Sequence, residues 1–384
     1  MSELVLVHDY LLVLRGAERT FAAMADVWPD APIATLLYDE AGTEGRFAAR
    51  KVSTSQLQLL RVRQGHFRRA MPFFPSAARR LPTGGAQCIV SSSSAFAHGV
   101  RKPHGATHVC YCHSPFRYAW HAQDYALAEV PAPARPALRA LLRRQRTFDR
   151  RAAQAVDQYI ANGRLTRERI RRFWGRDAPV VHPPVEVDGF YSREPDDYVL
   201  FVGELLRHKR PELAIEAASA AGRRIKVVGS GPELRRLQAR YGRRVDFLGR
   251  VDDDRLRRLY AEAAALVMPS VEEFGIAAVE AQAAGCPVVA IDAGGARETV
   301  IPGRTGLLVP NGDSSGLGRA LRTDLTLFDA EEIRANAQRF AHAVFESRLL
   351  EIVETTRERS SRVPRRGRFR RGGLPVTRPT APRC

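Results

Sequence analysis

Long apolar runs are missing from this sequence of 384 residues. No window is apolar over the ~18–20 residues that a membrane-spanning helix requires, so we expect no transmembrane segment. The chain starts directly with a strand-like run, which predicts no signal peptide. Its five cysteines are scattered and odd in number. This pattern argues against a disulfide framework and predicts a reducing, cytoplasmic compartment.

Acidic residues are scarce as well, with 42 Asp and Glu against 60 Lys and Arg, and the formal net charge is +18. Such a balance predicts an anionic partner: a nucleic acid, an acidic membrane surface or a phosphorylated substrate. The C-terminal stretch 361–384 carries eight arginines and no acid. Its Pro and Gly residues predict disorder. A solvated, arginine-rich end without a specific role is at least as good an interpretation as any specific role.

A second acid-free stretch, 61–80, combines Phe67, Phe73 and Phe74 with the arginines 61, 63, 68, 69, 79 and 80. A predicted helix at 135–155 adds a stripe of arginines at 4-3-4 spacing: Arg139, Arg143, Arg146 and Arg150. One interpretation is a surface that binds an anionic membrane. The other is a solvated face whose aromatic side chains point inward.

Short apolar runs alternate with helical patterns along both halves of the chain. The length predicts two domains, and the alternation predicts a parallel β-sheet with right-handed helical crossovers in each. Leu4–Val7 predicts the first buried strand, and a loop at Arg15-Gly16 leads into a helix. This is how a doubly wound α/β domain begins, with its ligand at the carboxyl ends of the strands.

The stretch Val271–Ala281 is the candidate site around which the chain is organised. It follows an apolar run at 263–268 that predicts a buried strand, and it then predicts a loop and a helix. A helix N-terminus suits a phosphate, because free backbone N–H groups and the positive end of the helix dipole point at it. Glu272 on the loop and Glu280 on the helix can accept hydrogen bonds from sugar hydroxyls. Alternatively, both are exposed glutamates that favour the helix dipole.

The residues that follow extend this pattern with a Gly-x-Pro-Val-Val strand at 285–289 and a Gly-Gly-x-x-Glu loop at 294–298. Together with Pro269–Glu280 they resemble the retaining glycosyltransferases of family 4 (group 1). Glu-Phe-Gly-Ile at 273–276 is similar to the GDP-mannose-type mannosyltransferases of surface-polysaccharide assembly. The run Cys-Tyr-Cys-His-x-Pro-x-Arg-Tyr-Ala-Trp at 110–120 resembles the same branch.

The resemblance implies an α/β GT-B fold, in which two facing Rossmann-like domains enclose a nucleotide-sugar cleft. The acceptor domain would span 1–182, a linker 183–195 and the nucleotide-sugar domain 196–330. A final helix at 331–358 would cross back to the first domain, and 359–384 would form a basic disordered tail. The implied partners are a nucleotide-sugar donor, a glycan or lipid-linked acceptor and an anionic surface on the inner face of the plasma membrane. Nucleic acid is not an expected partner.

The same resemblance implies roles for individual residues. Lys209 would hold the donor diphosphate, Glu272 the sugar hydroxyls, Glu280 the ribose and His113 the C6 side of the sugar. Lys209, Glu272 and His113 are therefore the candidate catalytic residues. The other candidate donor-binding residues are Gly16, Arg207, Arg250, Val251, Phe274, Gly275 and Ile276.

The resemblance implies front-face attack in which the leaving phosphate oxygen acts as the base, so no protein nucleophile is assigned. It also implies no metal and no cofactor, the nucleotide sugar being a substrate. Asp252-Asp253-Asp254 is the nearest approach to a metal-binding motif, but it precedes a helical pattern. We predict that it caps this helix.

Three positions depart from the family pattern. Arg15 replaces a glycine of the first loop, Gly163 replaces a serine after Asn162, and Glu204 stands where the family has an arginine that holds the diphosphate. A carboxylate beside a diphosphate is electrostatically unfavourable. Either Arg207 supplies the missing cation, Glu204 pairs with a nearby arginine, or donor binding is weak.

Two other functions remain open. The three departures are compatible with a GT-B-like binding subunit that has lost catalysis. The excess of arginine is compatible with a nucleic-acid-binding protein, but the sequence has no aromatic-basic recognition motif, and charge alone binds without sequence preference.

Overall fold

A computed structural model describes residues 3–60, 67–313 and 315–362. Arg61 and Arg63 of the basic stretch and the tail from residue 363 onward lie outside the described residues, as do the side chains of Arg68 and Arg69. Within the described ranges, no helix combines the length and the apolar character needed to cross a membrane.

The first domain contains a parallel sheet of six strands in the order β3-β2-β1-β4-β5-β6. The sequence supplies near-continuous apolar runs for its central strands, which suits a sheet covered by helices on both faces. The strands are β1 (Leu4–His8), β2 (Ile33–Thr35), β3 (Val52–Thr54), β4 (Cys88–Ser93), β5 (Thr107–Cys112) and β6 (Gln158–Ala161). The helices are α1 (Gly16–Val27), α2 (Phe74–Arg79), α3 (Arg117–Trp120), α4 (Gln123–Ala128), α5 (Arg135–Ala153) and α6 (Arg164–Trp174).

The second domain repeats this architecture with a parallel sheet in the order β12-β11-β10-β7-β8-β9. Its strands are β7 (Tyr198–Val202), β8 (Arg224–Val228), β9 (Asp246–Gly249), β10 (Ala265–Met268), β11 (Val288–Asp292) and β12 (Gly306–Pro310). Its helices are α7 (Pro211–Ala220), α8 (Leu234–Tyr241), α9 (Asp253–Glu262), α10 (Ile276–Ala283), α11 (Ala296–Thr299), α12 (Gly316–Leu321) and α13 (Ala330–Ala337). The predicted pair of Rossmann-like domains is confirmed. So is the predicted cap, since the Asp252 carboxylate accepts a hydrogen bond from the backbone N–H of Arg255 at 2.7 Å.

The C-terminal segment returns to the first domain, but not as the single helix predicted at 331–358. Helix α13 packs on α10 of the second domain, and Phe340 is buried in the core of that domain. Ala341 then adopts extended backbone and interrupts the helical path. Helix α14 (His342–Arg362) follows and buries Phe345, Leu349 and Val353 in the core of the first domain. The predicted start of the disordered tail at residue 359 is therefore wrong, since the helix continues to Arg362. The break exists because the two halves of the segment bury their apolar faces in different cores.

Candidate active site

The carboxyl ends of the two sheets meet at a cavity of about 540 Å³ between the domains. The first domain contributes the start of α1 and the loop after β5. The second contributes the loops after β7 and β10 and the start of α10. Predicted site residues in the lining are Gly16, His113, Lys209, Glu272, Phe274, Gly275, Ile276 and Glu280. Tertiary structure thus brings together residues that the sequence separates by more than 250 positions.

Two helix N-termini converge in this cavity. A Cβ built at Gly16, the first residue of α1, would lie 3.3 Å from Cδ1 of Ile276, the first residue of α10. Gly275 precedes α10 with a φ of 92°, a conformation that side chains disfavour, so glycine is required at this turn. The free N–H groups of both helices and the positive ends of their dipoles make this a suitable place for an anion.

Glu272 and Lys209 form an ion pair inside the cavity. The other carboxylate oxygen of Glu272 accepts a hydrogen bond from the buried Ser270 hydroxyl at 2.6 Å. The Glu272 side chain is only 16% exposed. The alternative of an exposed helix-start glutamate is therefore wrong for this residue: its carboxylate is fixed and points into the site beside a cation.

Glu280 is held by Tyr260, a residue that the sequence analysis did not identify. The Tyr260 hydroxyl donates to Glu280 Oε2 at 2.9 Å. Tyr260 lies on α9 and is fully buried, so it fixes the carboxylate from behind. Burial raises the pKa of Glu280, and the hydrogen bond from Tyr260 acts in the opposite direction. No local sequence pattern predicts this pair, because Tyr260 lies on the helix before the strand that leads to the site, 20 residues from Glu280.

His113 follows β5 and is fixed by Ser92 of the neighbouring strand, whose hydroxyl lies 2.8 Å from His113 Nε2. Burial lowers the pKa of His113 to about 4, although the Glu273 carboxylate acts in the opposite direction. The imidazole is therefore neutral near pH 7. A neutral ring in the lining can exchange hydrogen bonds with a sugar hydroxyl without adding charge.

Acidic and basic side chains also meet across the domain boundary. Arg169 of α6 donates to Glu273 of the second domain at 2.8 Å. Burial raises the pKa of Glu273, but the guanidinium groups of Arg117 and Arg169 outweigh it and hold the pKa below its ordinary value. Glu273 is therefore ionised and links the domains.

Two of the three departures from the family pattern form such a contact with each other. Arg15 Nη1 lies 3.1 Å from Glu204 Oε2. Of the three possibilities considered for Glu204, the structure supports pairing with an arginine. That arginine is distant in sequence and belongs to the other domain.

Three candidate donor-binding residues lie outside the cavity lining. Arg207 occupies a short 3-10 helix, Arg207–Lys209, and is exposed. Arg250 and Val251 follow β9 at the carboxyl edge of the second sheet. A role for these three residues stays a prediction. A second cavity of about 600 Å³ is lined by residues of α7, β8 and α8 and contains none of the predicted site residues.

Within residues 3–60, 67–313 and 315–362, no group of three or more His, Cys, Asp or Glu residues is placed to hold a metal ion. The predicted independence from metals stays a prediction. The four cysteines of the described part, Cys88, Cys110, Cys112 and Cys286, are free and buried.

Two family models match the chain in succession. Residues 14–188 match "Glycosyltransferase Family 4", and residues 189–340 match "Glycosyl transferases group 1". The two matches adjoin and span most of the chain. The chain belongs to the family 4/group 1 glycosyltransferases.

Curated relatives of this family member include two D-inositol 3-phosphate glycosyltransferases. The protein from Streptomyces avermitilis is 32% identical over 249 residues, which cover 54% of this chain and 52% of the relative. The protein from Mycobacteroides abscessus is 33% identical over 216 residues, covering 49% and 47%. The chain thus spans about half the length of the curated relatives it matches. Neither relative is named as a GDP-mannose enzyme, so the narrower resemblance remains a proposal.

Solved structures with the GT-B fold resemble the chain over most of its length. HepE from Anabaena in complex with UDP has a TM-score of 0.67 at 20% identity, covering 92% of this chain and 100% of that structure. Sucrose-phosphate synthase from Thermosynechococcus elongatus has a TM-score of 0.69 at 19% identity, covering 92% and 99%. At these identities the likeness shows the fold alone.

Proposed function

We propose that this chain transfers a sugar from a nucleoside diphosphate to a hydroxyl group of an acceptor, with retention of anomeric configuration and without a metal. One observation carries the proposal. Two helix N-termini, the Lys209 ammonium group and two fixed carboxylates, Glu272 and Glu280, converge in one cavity between the domains. A nucleotide sugar has the matching chemistry, since its diphosphate needs cations and N–H groups and its hydroxyls need acceptors.

The residues act on the charge that develops as the donor reacts. The bond from the sugar C1 to the phosphate oxygen breaks, the acceptor oxygen forms a bond to C1, and the acceptor proton passes to the leaving phosphate. Lys209 and the start of α10 stabilise the negative charge that grows on the leaving diphosphate. Glu272 and Glu280 orient the sugar and the ribose through their hydroxyls.

We propose GDP-mannose as the donor, which rests on the resemblance of Glu273–Ile276 and of the 110–120 run. UDP-glucose is the competing donor, because one solved structure of HepE contains UDP-glucose. The proposed acceptor is a glycan or a lipid-linked sugar of polysaccharide assembly. The names of the curated relatives add D-inositol 3-phosphate as a competing acceptor.

We propose a cytoplasmic enzyme that binds reversibly to the inner face of the membrane. Leu59, Leu60 and Phe73 are 84%, 62% and 60% exposed. Leu57 and Met71, which belong to the same two segments, pack against one apolar cluster of the first domain, so both segments are anchored to that domain. The exposed Arg79 and Arg80 extend the second segment. Exposed apolar and basic side chains in the same segments suit an anionic lipid surface.

Half of the arginine stripe on α5 does not support this surface. Arg146 donates to the backbone carbonyl of Ala119 at 2.7 Å, and Arg150 donates to that of Phe173 at 3.3 Å. Both guanidinium groups also lie over the Trp120 ring. Arg139 and Arg143 remain exposed and stay in the proposal.

A donor screen followed by a transfer assay tests the function. A nucleotide sugar that binds the folded protein raises its melting temperature. We expect this shift with GDP-mannose, with UDP-glucose and the free nucleosides as comparisons, and we expect a radiolabelled sugar to move to acceptor with retained configuration. Donor binding without transfer or hydrolysis would favour the binding subunit. Binding of duplex DNA without binding of any nucleotide sugar would favour the nucleic-acid alternative.

A further inference from the structure

Arg15 and Glu204 join the two domains at the edge of the cavity. Arg15 precedes α1 in the first domain, and Glu204 follows β7 in the second. The guanidinium Nη1 and the carboxylate Oε2 lie 3.1 Å apart, and the side chains are 50% and 36% exposed. A solvent-exposed ion pair of this kind contributes little to stability. The pair is therefore easily separated when a stronger anion arrives.

The position of Arg15 suits a phosphate. Arg15 lines the cavity and directly precedes Gly16, where the N-terminus of α1 faces that of α10. A guanidinium group is a planar fork of N–H donors that matches two phosphate oxygens at once. A diphosphate bound at the two helix N-termini would therefore lie beside Arg15.

The other cations of the described lining, Arg19, Arg117 and Lys209, lie near carboxylates of the site itself, and Arg117 is close enough to Glu273 to lower its pKa. Lys209 pairs with Glu272, and Arg169 pairs with Glu273. Arg19, one turn further along α1, lies close enough to Glu280 to lower its pKa, against the effect of burial. Arg207 lies outside the lining, as described above. Arg15 instead pairs with Glu204, which is itself more than a third exposed, so water and a bound anion can compete for its guanidinium group.

We propose that Arg15 binds the diphosphate of the donor from the first domain, and that Glu204 holds its guanidinium in the ligand-free molecule. This inference deepens the proposed function and rests on it. The cation that the second domain lacks at position 204 is supplied across the cleft. Donor binding then exchanges one anion for another on Arg15, and Glu204 acts as a competitor of the diphosphate.

The competition predicts opposite effects for the two partners. Arg15→Gln removes the charge but keeps a polar side chain, and it should weaken binding of GDP or UDP roughly tenfold or more, as expected for loss of a charge-assisted hydrogen bond. Glu204→Gln releases Arg15 and should leave this affinity equal or several-fold tighter. Affinity for guanosine and uridine should not change in either variant, because these probes lack the diphosphate.

The test is isothermal titration of the full chain with GDP, UDP, inorganic pyrophosphate and the two nucleosides. Arg15→Lys is the second variant, and it should lose part of the affinity because it keeps the charge without the fork. Arg348→Ala is the matched control: Arg348 pairs with Glu351 on the exposed surface of α14, away from the cavity. Melting temperatures verify that every variant is folded.

Each outcome decides the inference. Equal loss of affinity in Arg15→Gln and Glu204→Gln, for nucleosides as well as diphosphates, would mean that the pair only holds the domains together. Wild-type affinity in Arg15→Gln for the diphosphate that the native protein binds would also overturn the inference, while leaving the proposed function intact. If the native protein binds neither GDP, UDP nor pyrophosphate, the inference and the proposed function both fail.

Discussion

Glu298 of the second domain accepts a hydrogen bond from the backbone N–H of Arg164 in the first domain at 2.6 Å. Arg164 begins α6, so a carboxylate from one domain caps a helix of the other. The second carboxylate oxygen lies 2.9 Å from His182 Nε2, and the Glu298 side chain is only 2% exposed. Gly163 precedes the capped helix. A Cβ at Gly163 would lie 2.9 Å from Glu298 Oε1 and 3.0 Å from the Glu273 carbonyl oxygen.

We expect Gly163→Ala to weaken this domain contact. The added methyl group displaces a buried carboxylate or a backbone carbonyl, and overpacking of this kind costs ~1–3 kcal/mol of unfolding free energy. Denaturant unfolding measures the loss. Gly203→Ala is the control, because a Cβ at Gly203 would meet only the Phe201 ring at 3.8 Å. Equal unfolding free energies for the wild type and Gly163→Ala would show that the contact tolerates a side chain.

The two glutamates of the cavity are expected to act on transfer rather than on folding. Glu272→Gln and Glu280→Gln should each reduce transfer about tenfold or more, since a hydrogen bond to a charged group contributes ~1.5–3 kcal/mol. The melting temperature should stay near that of the wild type, because glutamine retains the size of the side chain. Initial rates with saturating acceptor provide the measurement. Wild-type turnover in both variants would exclude them from the site's chemistry.

A buried histidine should make stability depend on pH. His108 on β5 lies 2.8 Å from the Ser91 hydroxyl, and burial lowers its pKa from 6.5 to about 3. Between these values the unfolded chain binds a proton that the folded chain does not. Stability therefore falls as the pH falls from 6.5 toward 3, by up to ~1.4 kcal/mol per pH unit from this residue.

The variant His108→Gln isolates this effect, since other titrating groups remain in both proteins. Chemical unfolding at several pH values between 6.5 and 4 should give a shallower slope for the variant than for the wild type. Identical slopes would mean that His108 is protonated in the folded protein in this range. His8, whose pKa burial lowers to about 3, contributes a slope of the same sign in both proteins.

Vesicle sedimentation tests the proposed membrane surface. We expect the protein to bind phosphatidylserine-containing vesicles in preference to neutral ones, more weakly at high salt because screening shortens the reach of the charges. Binding should persist in a variant that lacks residues 361–384, and Phe73→Ser should reduce it. If deletion of the tail abolished all vesicle binding, the first-domain surface would no longer be part of the proposal. Competition by duplex DNA for the tail-less protein would favour the nucleic-acid alternative.

Local patterns in the sequence are enough to predict the features that depend on neighbouring residues. Apolar runs of strand length alternating with helical patterns required two parallel sheets. The Gly275 turn, the cap at Asp252 and the loop-then-helix order of Glu272 and Glu280 could be predicted because each acts within a few residues. Those local rules also placed the carboxyl ends of the strands, and hence the candidate site, on one side of each sheet.

The pairing of the residues in that site could not be predicted, because it depends on long-range contacts. Arg15 and Glu204 are 189 residues apart, and Arg164 and Glu298 are 134 apart. No periodicity or capping rule extends over such distances. These contacts arise because two separate sheets face each other in one orientation, which also divides the C-terminal segment at Ala341 between their cores. Charge complementarity across a domain boundary depends on that orientation, so it cannot be predicted from the sequence of either domain alone.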